Sequence, residues 1–161
     1  MTEEIRVHIS PTIDSVAAVG LTEGAMGNMG FLVSAAEYAV KVSADNSPSP
    51  VQTLDAIGEQ VRSIHKAMKG EPIKFSQPDP DHPMIYFRVT SEPDFKSKTT
   101  VVIGATKTLD KKITDRCIDV AAPIMLYMVC LWSKANFEKA LNLVLEGAKK
   151  GYTTVFQKVE T

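Results

Sequence analysis

Thirteen consecutive residues, Val120 to Trp132 (Val-Ala-Ala-Pro-Ile-Met-Leu-Tyr-Met-Val-Cys-Leu-Trp), carry no charge and no strongly polar side chain. A helix that spans a bilayer needs about 20 apolar residues, so this stretch is too short to cross one. Just upstream, Lys111, Lys112, Asp115, Arg116 and Asp119 are interleaved with Ile113, Cys117, Val120 and Ile124, whose spacings of 4, 3 and 4 trace one helical face. The pattern predicts a helix from about Asp110 to Ser133, amphipathic at its start and apolar on every side beyond Val120. A helix of that kind has to be covered all round. Pro123 has no amide hydrogen for the Asp119 carbonyl, so a kink is expected there. The plain reading is a core helix; the sharper one turns part of it toward a partner subunit or an apolar ligand.

Three more helices follow from the same periodicity. Leu54, Ile57, Val61, Ile64 and Met68 recur at 3, 4, 3 and 4, with Asp55, Glu59, Arg62 and Lys66 opposite. Ser49-Pro50-Val51-Gln52 predicts its start: a serine cap, proline at the first helical position and a glutamine to close a capping box. Gly70 predicts its end. Phe137, Ala140, Leu141, Val144, Leu145 and Ala148 form a second stripe, closed by Lys149, Lys150 and a stop at Gly151. Phe31 to Val42 predicts a helix whose small residues, Ala35, Ala36 and Ala39, admit a close neighbour.

Strands are predicted where the period drops to two. Ile5, Val7 and Ile9 alternate with polar residues, and Ser15 to Leu21 is either the start of a helix or, the reading preferred, the returning strand of a hairpin. Ile85, Phe87 and Val89 alternate likewise and pair, across the loop Glu92 to Lys98, with Thr99 to Thr108. Glu71 to Pro83 holds four prolines and predicts an irregular connection. Tyr152 to Val159 is read as a last strand. The expected fold is α+β: an antiparallel sheet of about five strands with four helices packed on it. The likeness of Ile5–Ser10 to Ile85–Thr90 raises the prospect of two ββαα halves, a pseudo-repeat.

The length, 161 residues, predicts a single globular domain over 1–161. A chain of that size buries about 70% of its unfolded surface, enough to enclose a helix without metal or disulfides. The formal charge is −1 and the lysines and arginines are scattered, which argues against a nucleic-acid partner. Cys117 and Cys130 lie about 220° apart around one helix and cannot bridge each other. Free thiols fit a reducing compartment. The acidic start runs straight into a strand with no signal-peptide pattern, so the cytoplasm is expected.

Candidate chemistry is sparse. Thr22 to Gly30 holds Gly24, Gly27, Asn28 and Gly30 ahead of a helix, where backbone amides can cradle an anion. The spacing is neither a dinucleotide fingerprint nor a P-loop, and tight turns explain it as well. His8, on the outer face of the first strand, or Asp119 is the titrating group joined with that loop. His65 lies beside the second helix's apolar stripe. His82 sits in Asp79-Pro80-Asp81-His82-Pro83, read either as metal donors or as a solvated loop. Asp115 and Asp119, four apart, are either an acid–base pair or carboxylates that favour a helix start and pair with Arg116 or Lys112. Glu37, in an otherwise apolar helix, is a further candidate of the same kind. No metal or cofactor is expected, and no nucleophile elbow or zinc motif occurs. The residues leave open whether the chain is an enzyme. The first expectation is an interaction or assembly subunit, acting as a homo-oligomer or on a protein partner. The Gly- and Ala-rich segment Val16–Ala39, the seven methionines and unpaired sheet edges support it. The alternative is a small-molecule or anion binder, or an enzyme, working at Gly24–Gly30.

Overall fold

The structure is a computed structural model that describes residues 2–8, 29–72, 84–91, 99–106, 110–133 and 136–160. Its elements run β1 (Thr2–His8), α1 (Met29–Asp45), α2 (Pro50–Met68), β2 (Met84–Ser91), β3 (Thr99–Ala105), α3 (Lys111–Trp132) and α4 (Phe137–Glu160). The helices hold 17, 19, 22 and 24 residues against strands of 7, 8 and 7, so the fold is mostly helical.

α3 is the expected core helix. The Asp110 side chain caps it, accepting from the Lys112 amide at 3.1 Å. Cys117, Ala121, Ala122, Met125, Leu126, Tyr127 and Met128 are fully buried. Enclosing a side chain the size of Leu126 contributes about 1.5–3 kcal/mol. Cover is incomplete at Val120, Ile124, Leu131 and Trp132, which are half-buried. The helix runs unbroken through Pro123, itself buried.

α1 lies between α3 and the sheet. Its buried residues, Leu32, Ala35, Ala36, Ala39, Val40, Ser43 and Ala44, are mostly small, which is what lets one helix touch both layers. α2 buries Leu54, Ile57, Gly58 and Val61 as its stripe predicts. Gly58 admits α4: a Cβ there would stand 2.7 Å from Leu145 Cδ1. Arg62 links the same two helices on the outside. Its Nε reaches both Glu138 oxygens at 3.2 Å, and its Nη1 reaches Glu59 at 2.7 Å. The hydrogen bond to Glu138 raises its pKa, but the group is exposed and the link adds little stability.

The sheet is antiparallel in the order β1-β2-β3, with Ile5 opposite Phe87 and Phe87 opposite Ile103. Ile85, Phe87 and Val89 are buried while Arg88 is exposed, the alternation the sequence predicts. On the outer face the Tyr86 ring lies over Gly104, where an added Cβ would be only 2.4 Å from it.

Several expectations are overturned. The sheet has three strands among the described residues, not about five. Tyr152–Val159 is helix, the end of α4, and Gly151 lies inside that helix rather than stopping it. The reason is visible in the spacing: Leu141, Leu145, Ala148, Tyr152, Val155 and Val159 continue at 4, 3, 4, 3, 4, and this stripe outweighs the strand propensity of Thr153, Thr154 and Val155. The last strand stood outside the two proposed ββαα halves; β1 pairs with β2, the first strand of the second half, and the second strand that the first half requires falls outside the described residues. The proposed return strand Ser15–Leu21 lies outside the described residues, as does the loop Glu92–Lys98. At the start of α2, Ser49 makes no side-chain cap; instead Thr53 Oγ1 donates to Ser47 Oγ at 2.7 Å. At its end the left-handed turn begins one residue early, at Lys69 (φ 54°), and continues through Gly70 (φ 76°).

Candidate functional site

Of the expected anion loop, Gly24, Gly27 and Asn28 lie outside the described residues. Gly30 is already helical, the second residue of α1. His8 ends β1, in register with Met84. His65 stacks on the Phe137 ring at 3.8 Å between centroids and neighbours Tyr127 at 6.2 Å, so its ring serves the α2–α4 packing. His82 lies outside the described residues, and Glu37 is exposed.

Asp115 and Asp119 do come together in one place, a cleft of about 390 Å³ where the end of α1, the start of α2 and the first half of α3 converge. The turn after α1, held by Asn46 N–H to Val42 O at 3.0 Å and Ser47 N–H to Ala44 O at 3.1 Å, puts Asn46 and Ser47 on its rim. Ser43, 6% exposed, donates to Asp119 at 2.7 Å, and Ser47 Oγ donates to Ala44 O at 2.9 Å. Gln60 and Asp119 also line an adjoining groove of about 530 Å³, floored by Ile64, Val120, Pro123 and Ile124. The cleft offers carboxylates, hydroxyls and amides. It suits a polar or cationic molecule better than the anion expected at the glycine loop. Sequence reasoning picked out the two aspartates but missed Ser43. Its signal was a lone hydroxyl continuing the buried stripe Leu32, Ala36, Ala39 at 4, 3, 4.

Among the described residues the geometry gives metal and thiol chemistry no support. Among the described residues no three His, Cys, Asp or Glu side chains gather as a metal requires. Cys117 and Cys130 are free and buried, and burial pushes both thiols up to about 11, the opposite of an activated nucleophile. Among the described residues no helix is long and apolar enough to cross a membrane.

The other conspicuous surface is β3. Among the described residues it is the terminal strand of the sheet, and its sequence, Thr-Thr-Val-Val-Ile-Gly-Ala, has no charge and no proline. Val102, at its middle, is 52% exposed. Edge strands are ordinarily blunted by lysine, proline or a bulge, and an apolar unguarded edge is a template for another strand. No protein-family model, curated protein or solved structure matches the chain.

Proposed function

We propose that this protein is an assembly subunit that works by self-association. The observation that carries the reading is β3, an uncharged strand, terminal in the sheet among the described residues, with a half-exposed valine at its centre. Strand addition at such an edge supplies main-chain hydrogen bonds without demanding a deep pocket. Sedimentation velocity on the full chain from about 1 to 100 µM tests it. A rise in mass with concentration, or a stable oligomer throughout, is the expected result. A monomer across the whole range overturns it.

A second reading is a small-molecule binder, favoured by the hydroxyl- and carboxylate-lined cleft around Asp119. Thermal shift against polyamines, sugars and nucleosides reads it out, since a ligand at 100 times its Kd adds about 2.7 kcal/mol. The Asp119→Ala variant should lose the shift.

A further inference from the structure

The register of the sheet fixes which groups β3 offers outward. The Thr106 amide donates to the Met84 carbonyl at 2.9 Å, so the 84/106 pair is a hydrogen-bonded one. In an antiparallel ladder such pairs alternate with pairs that exchange no bonds. Stepping by two, Tyr86/Gly104, Arg88/Val102 and Thr90/Thr100 are bonded pairs across β2 and β3. The amides and carbonyls of Thr99, Val101, Ile103 and Ala105 therefore point away from β2, toward the edge.

These four groups are self-complementary about the middle of the strand. If a second β3 is laid antiparallel with Val102 on the twofold, Val101 meets Ile103 and Thr99 meets Ala105 of the other copy. Each is then a bonded pair made from outward-pointing groups. Val102 meets its own symmetry mate in a non-bonded pair, the kind in which Cα atoms come to about 4.5 Å and side chains touch most closely. Val102, the most exposed hydrophobic residue of β2 and β3 among the described side chains, is thus the one such pairing buries. No charge falls opposite a like charge, because Thr99–Ala105 has none. Closed twofold dimers with self-complementary interfaces are the commonest soluble oligomers, and the uncharged centre of β3 meets the requirement that one patch face itself.

We infer that two copies of this chain join through antiparallel β3–β3 pairing centred on Val102, fusing their sheets into one. This rests on the self-association reading above. The pairing makes a geometric demand that other dimers do not. Across the twofold the two copies of residue 102 are close enough for a disulfide, which needs Cα atoms about 4.4–6.8 Å apart. The two copies of residue 100 are offset by four positions, about 13 Å along the strand.

The test combines sedimentation of the full chain with crosslinking of Val102→Cys and Thr100→Cys. The native thiols are buried and do not compete. Under mild oxidation V102C should give a covalent dimer on a non-reducing gel, and T100C should not. Val102→Lys should raise the dimer Kd at least tenfold, with circular dichroism confirming that the fold is kept. Should V102K fail to fold, the cysteine pair still decides. If the wild type associates while V102C stays uncrosslinked, β3 pairing is wrong and self-association uses another surface. If V102C and T100C crosslink equally, the pairing is also wrong. A wild type that never associates removes both readings.

Discussion

The Ser43 hydroxyl donates to a carboxylate oxygen of Asp119 at 2.7 Å, tying the last turn of α1 to the middle of α3. Ser43 is nearly buried whereas Asp119 is exposed, so the two ends differ in what they lose when the bond is broken. An exposed carboxylate can return to water; a buried hydroxyl left without a partner cannot. Asp119→Ala should therefore destabilise at least as much as Ser43→Ala, each by about 1 kcal/mol. A double-mutant cycle by urea denaturation should give a coupling of about 1 kcal/mol. Strict additivity would mean the bond contributes nothing.

Leu145 fills the space over Gly58. Within a helix, glycine to alanine normally adds about 1 kcal/mol. At position 58 a Cβ would sit 2.7 Å from Leu145 Cδ1, and Leu145 is too enclosed to move freely. Gly58→Ala should gain none of that increment. In a Leu145→Ala background the obstruction is gone, and the same substitution should stabilise by about 1 kcal/mol. Equal effects in the two backgrounds would show that α2 and α4 are not in close contact here.

These two contacts mark what the sequence discloses. Leu54, Ile57 and Val61 announced their buried face, and Ile85, Phe87 and Val89 theirs, because one-dimensional spacing encodes which side of an element is dry. Asp110 likewise announced the start of α3. Spacing does not encode which element lies opposite. That α4 approaches α2 through Gly58, or that Ser43 reaches Asp119 across 76 positions, is a property of the packed helices. The last strand failed for a different reason. Tyr152–Val159 carries both a strand composition and a helical spacing, and the amphipathic stripe begun at Phe137 decided between them. Of the candidate site, the two aspartates were legible as a pair on one helix, but the hydroxyls around them come from α1 and the turn that follows it.

Lys69 and Gly70 are neighbours with left-handed backbones, and they should respond to substitution in opposite senses. Lys69, exposed, holds φ at 54° to close α2 through its amide to Lys66 O at 3.3 Å. A residue with a Cβ is strained there by about 1 kcal/mol or more, which glycine relieves at some cost in chain entropy. Lys69→Gly should stabilise by about 0.5 kcal/mol. Gly70, at φ 76°, already has the tolerant residue, so Gly70→Ala should lose about 1 kcal/mol. Thermal melts of the two variants check the signs, and a loss in Lys69→Gly would mean the left-handed turn is not where the structure puts it.

The buried thiols give the protein a pH dependence whose sign can be worked out. Desolvation raises Cys117 and Cys130 from an ordinary value of 9.0 to about 11, with Glu138 adding to the effect at Cys130. Below about pH 9 both thiols keep their protons whether the chain is folded or not, and their contribution to stability is fully present. Between about 9 and 11 the unfolded chain releases these protons while the folded chain retains them. Proton release then favours unfolding, and stability falls as pH rises through that window. Tyrosines and lysines titrate in the same range, so the comparison must be with the Cys117→Ala/Cys130→Ala variant. The loss of stability from pH 9 to 11, read from urea midpoints, should be steeper in the wild type than in the double variant. At pH 8 the native thiols should also resist a disulfide reagent and react only as urea unfolds the chain. Rapid labelling in native buffer, or equal slopes for the two proteins, would place the cysteines in water and undo the assignment of α3 as the helix that the other elements enclose.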